Sequence, residues 1–117
     1  RTMLEYWTPE LDLLTNTVPR SFPKGQSIEI VNRKTFIHAF PRFQTEDDLE
    51  HVTHYFLRNL NDYIYKNFTN QKDYSEFSLA IDESHDLVNF ERFVAQQGRE
   101  WINSSFEDII KSYSHHK

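Results

Sequence analysis

A chain of 117 residues with net charge −5 has room for one small globular domain, residues 1–117, and little room for two. Aromatics at 15% supply the bulk for a compact core, and charged residues at 26% with clear periodicity exclude a disordered polymer. No apolar run approaches 18 residues, so no membrane span is expected; the absence of cysteine removes disulfides, thiol nucleophiles and zinc–thiolate sites, and suits a cytoplasmic protein.

Leu4, Trp7, Leu11, Leu14 and Val18 recur at helical spacing. With Thr8 as N-cap and Pro9 in the first turn, they predict a short helix from Pro9 to Asn16. Residues 19–27, with two prolines and Gly25, read as a loop. Ile28–Val31 and Thr35–Phe40 are rich in strand formers and flank Asn32-Arg33-Lys34, which predicts a hairpin. In its second arm Phe36, His38 and Phe40 share a face, so His38 reads as a hydrogen-bonded core or edge residue.

Thr45 to Phe68 is the longest periodic run. Leu49, Val52, Phe56, Leu60, Tyr63, Ile64 and Phe68 form one stripe, and Thr45 with Asp48 matches a capping box. The expectation is a single helix of about 36 Å. A polar loop, Thr69 to Tyr74, separates it from an alternating strand over Glu76–Asp82. Leu87, Phe90 and Val94 then mark a helix ending near Gly98, and Ser104-Ser105-Phe106-Glu107 opens a last helix, with Trp101 and Ile102 bridging the two. His115 and His116 fall at a frayed terminus. The predicted class is α+β: a small three-stranded sheet, antiparallel or mixed, with helices packed on it in the order α-β-β-α-β-α-α.

Phe77 to His85, Phe-Ser-Leu-Ala-Ile-Asp-Glu-Ser-His, resembles motif II of the DExH helicases, where an Asp holds Mg²⁺ and a Glu orients water. The resemblance covers nine residues. ATP hydrolysis also needs a glycine-rich phosphate loop, and the chain has only Gly25 and Gly98, so that activity is excluded. The same Asp82, Glu83, His85 and Asp86 remain a candidate acid–base or metal site; their structural role would be a solvated helix start.

His51 and His54, with Tyr55, Arg58, Asp62 and Tyr65, fall on the polar side of the long run. Exposed tyrosine beside arginine and histidine has the composition of an interface anchor. A His-x-x-His pair with no third ligand is a weak metal signal, and no metal or cofactor is assigned. Charge is uneven along the chain. Residues 19–43 carry five bases, Arg20, Lys24, Arg33, Lys34 and Arg42, against one acid, net +4; residues 44–117 carry seven against fourteen, net −7. The basic stretch could bind nucleic acid, although an isoelectric point near 5.6 argues against that as the main role. Two sequons, at Asn67 and Asn103, are short enough to arise by chance. The leading expectation is an acidic protein-binding domain, an inhibitor or immunity-type protein covering a basic active site on another protein; nucleic-acid binding through 20–43 and a His/carboxylate enzyme through 82–86 are the alternatives.

Overall fold

A computed structural model describes residues 2–114; Arg1, His115, His116 and Lys117 lie outside the described residues. The class is α+β, built on a three-stranded mixed sheet of order β2-β1-β3. Strand β1 (Leu13–Thr15) is central. It pairs antiparallel with β2 (Glu29–Val31) and parallel with β3 (Tyr65–Asn67), with Leu14 opposite Ile30 on one side and Lys66 on the other.

The chain forms two compact units: residues 1–22 with 27–73, and residues 23–26 with 74–117. In the first, the sheet has a core on each face. Leu13 meets Ala39 and Phe56 on one side, walled by Phe36, Phe43, Leu60 and Tyr63. Leu14 meets Met3 and Leu11 on the other, with Tyr6, Trp7, Ile30 and Phe68 around them. Alternate side chains of a strand point to opposite faces, so two adjacent leucines serve two cores. That is why a helix at Pro9–Asn16 is not what forms. β1 is buried on both faces but only three residues long, too short to show the two-residue alternation of a strand, so Leu14 falls at helical spacing with Leu11 and Val18.

The second arm of the expected hairpin is instead helix α1 (Arg33–Ala39), continued by a 3-10 turn over Phe40–Arg42. Asn32 decides this: its side chain accepts from the Lys34 amide at 3.0 Å and caps the first turn. Phe36, Ala39 and Phe43 then face the core at helical spacing, so His38 is exposed on the helix and is not a strand residue.

The long run divides in four. Thr45 and Asp48 make the expected capping box and start α2 (Glu46–Glu50). His51, at φ −118° and ψ 73°, leaves the helix, and α3 (Val52–Arg58) follows. Asn59 ends α3, its side chain donating to the Tyr55 carbonyl at 2.7 Å, which offers the backbone an exit from the helix. A 3-10 turn over Leu60–Asp62 then leads through Tyr63 and Ile64 into β3, aromatic and β-branched residues that favour extended chain at its start. Only part of the stripe is core. Phe56 is fully buried, while Leu49 and Ile64 are each 61% exposed.

In the second unit, residues 76–82 form no strand: Glu76 lies in a turn, and the segment makes one parallel bridge, Ser78 to Lys24. The Lys24 amide donates to the Phe77 carbonyl at 3.0 Å, and the Leu79 amide to the Lys24 carbonyl at 2.7 Å. Phe77 and Ile81 stay largely exposed, so the expected regular strand is only this short pairing. Helix α4 (Ser84–Gln97) and helix α5 (Phe106–Ser114) form where periodicity puts them. α4 ends at Gly98, with φ 63°. Ser105, one residue later than expected, caps α5 with Asp108. Trp101 meets Phe90 edge-on at 5.3 Å, and Phe93 meets Tyr113 at 5.5 Å.

Candidate functional site

β1 and β3 run parallel, so their carboxyl ends open on the same side of the first unit. In open parallel α/β sheets ligands bind beyond the carboxyl ends of the strands, and the parallel pair here presents the corresponding end. The chain leaving β1 there is held by side chains. Thr15 and Asn16 are buried. The Asn16 side-chain Oδ1 accepts from the Ile28 amide at 2.8 Å, and the Thr15 hydroxyl accepts from the Thr17 amide at 3.1 Å. From β3, Asn67 accepts from the Val18 amide at 3.0 Å and donates to the Pro19 carbonyl at 3.0 Å, across a cis Val18–Pro19 peptide. Buried Ser21 accepts from the Asn70 amide at 2.8 Å.

Arg20 sits in this frame. Its Nη2 donates to the Ser27 hydroxyl at 2.9 Å, whereas its Nη1 is buried and makes no hydrogen bond among the described residues. A buried donor of this kind is costly unless something accepts from it. A planar guanidinium held by one arm, with the other free, suits a carboxylate or phosphate oxygen. Sequence reasoning named Arg20 as part of a basic stretch but missed Asn16, Ser21, Ser27 and Asn67. Two of these, Asn16 just after β1 and Asn67 at the end of β3, are polar residues at strand ends; helical spacing over Leu4–Val18 conceals the first.

The rest of the basic set does not gather around Arg20. Lys24 belongs to the second unit, and Arg33 and Lys34 lie in the first turn of α1, not at a hairpin tip. Arg42 ends the 3-10 turn after α1.

The set proposed for the polar side of the long run is partly brought together. His51 and His54 stack with ring centroids 4.7 Å apart. His54 Nδ1 lies 3.2 Å from Asp47, and Arg58 donates to Asp47 at 2.6 Å and also to Asp48. Tyr55 instead packs at 4.9 Å on Phe43, and Asp62 and Tyr65 lie on later elements, because the helix they were to share does not continue. The Asp48 carboxyl is held below its ordinary value by the Gln44 amide first, then, against the effect of burial, by Thr45 and Arg58. For Asp47, burial works upward but is outweighed by Arg58 and His54. Both carboxylates are committed to structure.

In the second unit, Glu83 caps α4 reciprocally with Asp86. Asp86 accepts from the Glu83 and Asp82 amides at 2.9 and 3.0 Å, and these bonds, the Glu83 one foremost, lower its pKa. His85 lies 3.3 Å from Glu83 and from Asp86. His85 and Asp86 line a cavity of about 590 Å³ with Asn89, Arg92 and Tyr113; Asp82 and Glu83 do not. Burial, then the Asp86 charge, raises the Tyr113 phenol, which therefore stays protonated. Asp82 is different. Its side chain is exposed, four residues after the Ser78 bridge and just before α4, and makes no ion pair among the described residues. No three His, Asp or Glu residues among those described converge to hold a metal ion.

A mixed sheet with a parallel central pair and a polar site at its carboxyl ends belongs to the α+β folds used by enzymes as well as by binding proteins. Comparison narrows this. No family model matches the chain, and no curated protein does. The fold is similar to that of a cytidylyltransferase from Leptospira borgpetersenii serovar Hardjo-bovis (strain JB197), with a TM-score of 0.85 and 20% identity over 97% of this chain. The match takes in 48% of that protein, so the chain spans about half its length. This finding overturns the expectation of an acidic inhibitor or immunity-type protein: the chain has a fold that a cytidylyltransferase uses. Among the described residues, no helix is long and apolar enough to cross a membrane.

Proposed function

We propose that the chain is the acceptor-handling part of an enzyme that transfers a cytidylyl group. One observation carries the reading: the likeness to a cytidylyltransferase extends over 97% of the chain at a TM-score of 0.85. Local chemistry supports a division of labour. A nucleoside triphosphate is commonly cradled by backbone amides of a glycine-rich loop, and the chain has only Gly25 and Gly98. The first unit offers instead one fixed guanidinium, fitted to a single carboxylate or phosphate on the molecule that receives the nucleotidyl group. Arg20 is the anion-binding residue of this reading. In the second unit Asp82 is the candidate ligand for a divalent cation. Mg²⁺ is commonly held by one or two carboxylates, with water and substrate phosphates completing the shell, so a lone free carboxylate fits it. Bound there, the cation would neutralise phosphate charge; the protein's part is to hold it by Asp82.

The test is an assay of the enzyme that contains this chain, with CTP, Mg²⁺ and a panel of phosphorylated and carboxylated sugars and alcohols, with conjugates of CMP identified by mass spectrometry. Arg20→Gln should raise the acceptor KM by about 10- to 100-fold, the worth of one charged hydrogen bond, and leave the KM for CTP unchanged. Asp82→Asn should lower kcat by on the order of 10²-fold or more. Transfer from CTP that neither substitution affects would sink the assignment of both residues. A folded protein that consumes no CTP with any acceptor would sink the activity itself.

A further inference from the structure

Lys34, His38 and Arg42 recur every four residues along α1 and the 3-10 turn after it, which places them on one side. They form one wall of a cleft of about 350 Å³ in the first unit, and Asp12, Asp62 and Tyr63 stand on the other. That volume lies at the small end of the range for small-molecule sites. None of the three basic residues has an ion-pair partner among the described residues. The opposite wall is built. One Asp12 oxygen accepts from the Thr35 hydroxyl and the other from the Ile64 amide at 2.9 Å, which fixes the carboxylate and leaves each oxygen able to accept again. Asp62 is exposed. Burial, then the neighbouring Tyr55, raises the Tyr63 phenol while Arg42 draws it down, so Tyr63 keeps its proton beside a guanidinium.

We propose that this cleft binds a phosphorylated polyol, its phosphate against Lys34 and Arg42 and its hydroxyls donating to Asp12 and Asp62. The two walls carry opposite chemistry. A bare anion would satisfy the cations and face the carboxylates without bonding to them. A nucleic-acid strand would set further phosphates against Asp62. A molecule with one dianionic end and several hydroxyl donors satisfies both walls, because carboxylates only accept and hydroxyls can donate. His38 stands between the two cations along the same wall.

The cleft is separate from the Arg20 site. Asp12 precedes β1 and Tyr63 precedes β3, so the cleft opens at the amino ends of the parallel pair, whereas Arg20 follows the carboxyl end. Asp12 and Asn16 are about 13 Å apart along extended chain. The proposal therefore stands whether or not the protein transfers a cytidylyl group. It assigns the chain a second small-molecule site, at the end of the sheet away from the one where transfer is proposed.

Titration of the ¹⁵N-labelled protein with glucose 6-phosphate, inorganic phosphate and glucose tests it by NMR. Glucose 6-phosphate should bind best, with the largest shifts at the Thr35, Tyr63 and Ile64 amides. A Lys34→Ala, Arg42→Gln double variant should weaken it by about tenfold or more. Asp62→Asn should weaken glucose 6-phosphate while leaving inorganic phosphate unchanged or tighter. Lys34, Arg42 and Asp62 are all exposed, and an unchanged melting midpoint verifies that each variant is folded. The proposal fails if glucose 6-phosphate does not saturate at tens of millimolar. It fails equally if glucose binds as well, if the double variant binds normally, or if shifts arise only around Arg20.

Discussion

Arg58 is shared between two acids, the exposed Asp47 and the buried Asp48. Both have pKa values lowered in the folded state, as does Asp86 at the start of α4. A group whose folded pKa is depressed stabilises the fold above its unfolded pKa and loses that contribution as pH falls through the folded value. The unfolded reference for Asp is about 3.9, so the three contributions are complete at neutral pH and begin to be lost only below about pH 4, as pH falls toward the lower folded values. Asp48→Asn should therefore be less stable than the parent at pH 7, with the gap in melting midpoint narrowing as pH falls below about 4. A gap independent of pH, from circular dichroism over that range, would mean that the carboxylate charge contributes nothing. In the core, Phe56 is fully buried between Phe43 and Tyr63, at 6.1 and 5.2 Å. Phe56→Ala should cost about 3–5 kcal/mol in urea unfolding, and a loss below about 1 kcal/mol would contradict the packing. Gly25 has φ 94°, and an added Cβ would stand 2.8 Å from the Ala80 nitrogen and 2.9 Å from the Leu79 carbonyl carbon. Backbone on both counts cannot swing away. Gly25→Ala should cost roughly 1–3 kcal/mol from φ alone, and more from the clash.

Among the elements, α1 depends most on a single side chain. Asn32 caps it and also donates to the Leu11 and Pro9 carbonyls at 3.1 and 3.3 Å. Loss of a cap costs about 0.5–2 kcal/mol, and Asn32→Ala should fall at the upper end because two further bonds go with it. A change within experimental error would show that α1 is held by Phe36 and Ala39 alone. α1 also marks the limit of what local pattern tells. α4, α5, β2 and the Thr45–Asp48 capping box were legible, since each is signalled by neighbours within one turn or one strand. β1 was not, because two cores, assembled from Met3, Ala39 and Phe56, decide that Leu13 and Leu14 face apart. The break in the long run was written in Asn59 and Asn61, weak helix residues that the apolar stripe overshadowed. The candidate site was legible only as charge. Arg20 was visible, but its frame depends on Asn67 reaching Val18 across 49 positions, and no window of sequence contains that bond.

At the scale of the molecule, a shared fold does not by itself carry an activity. The fold is shared over nearly the whole chain, and the activity rests on half of a longer protein at 20% identity. We propose that the two units nevertheless unfold as one domain. Residues 23–26 are flanked on both sides by the first unit but belong to the second, so the polypeptide passes between units three times. Trp7 reports on the first unit and Trp101 on the second. Chains keeping one tryptophan each, with phenylalanine at the other position, should give coincident transitions in denaturant. Two separated midpoints would make the units independent.

That interleaving has a consequence for cutting the gene. A break after Asp73 looks like a clean division, yet it leaves 23–26 in the first fragment and its bridging partner, Phe77 to Leu79, in the second. Each fragment then carries one side of a backbone pairing that neither can complete alone. Fragments 1–73 and 74–117, expressed together, should co-purify, and Gly25→Ala in the first should weaken their association. The short bridge at Ser78 would thus act as a built-in tether, and the chain would be a natural substrate for split-protein reassembly.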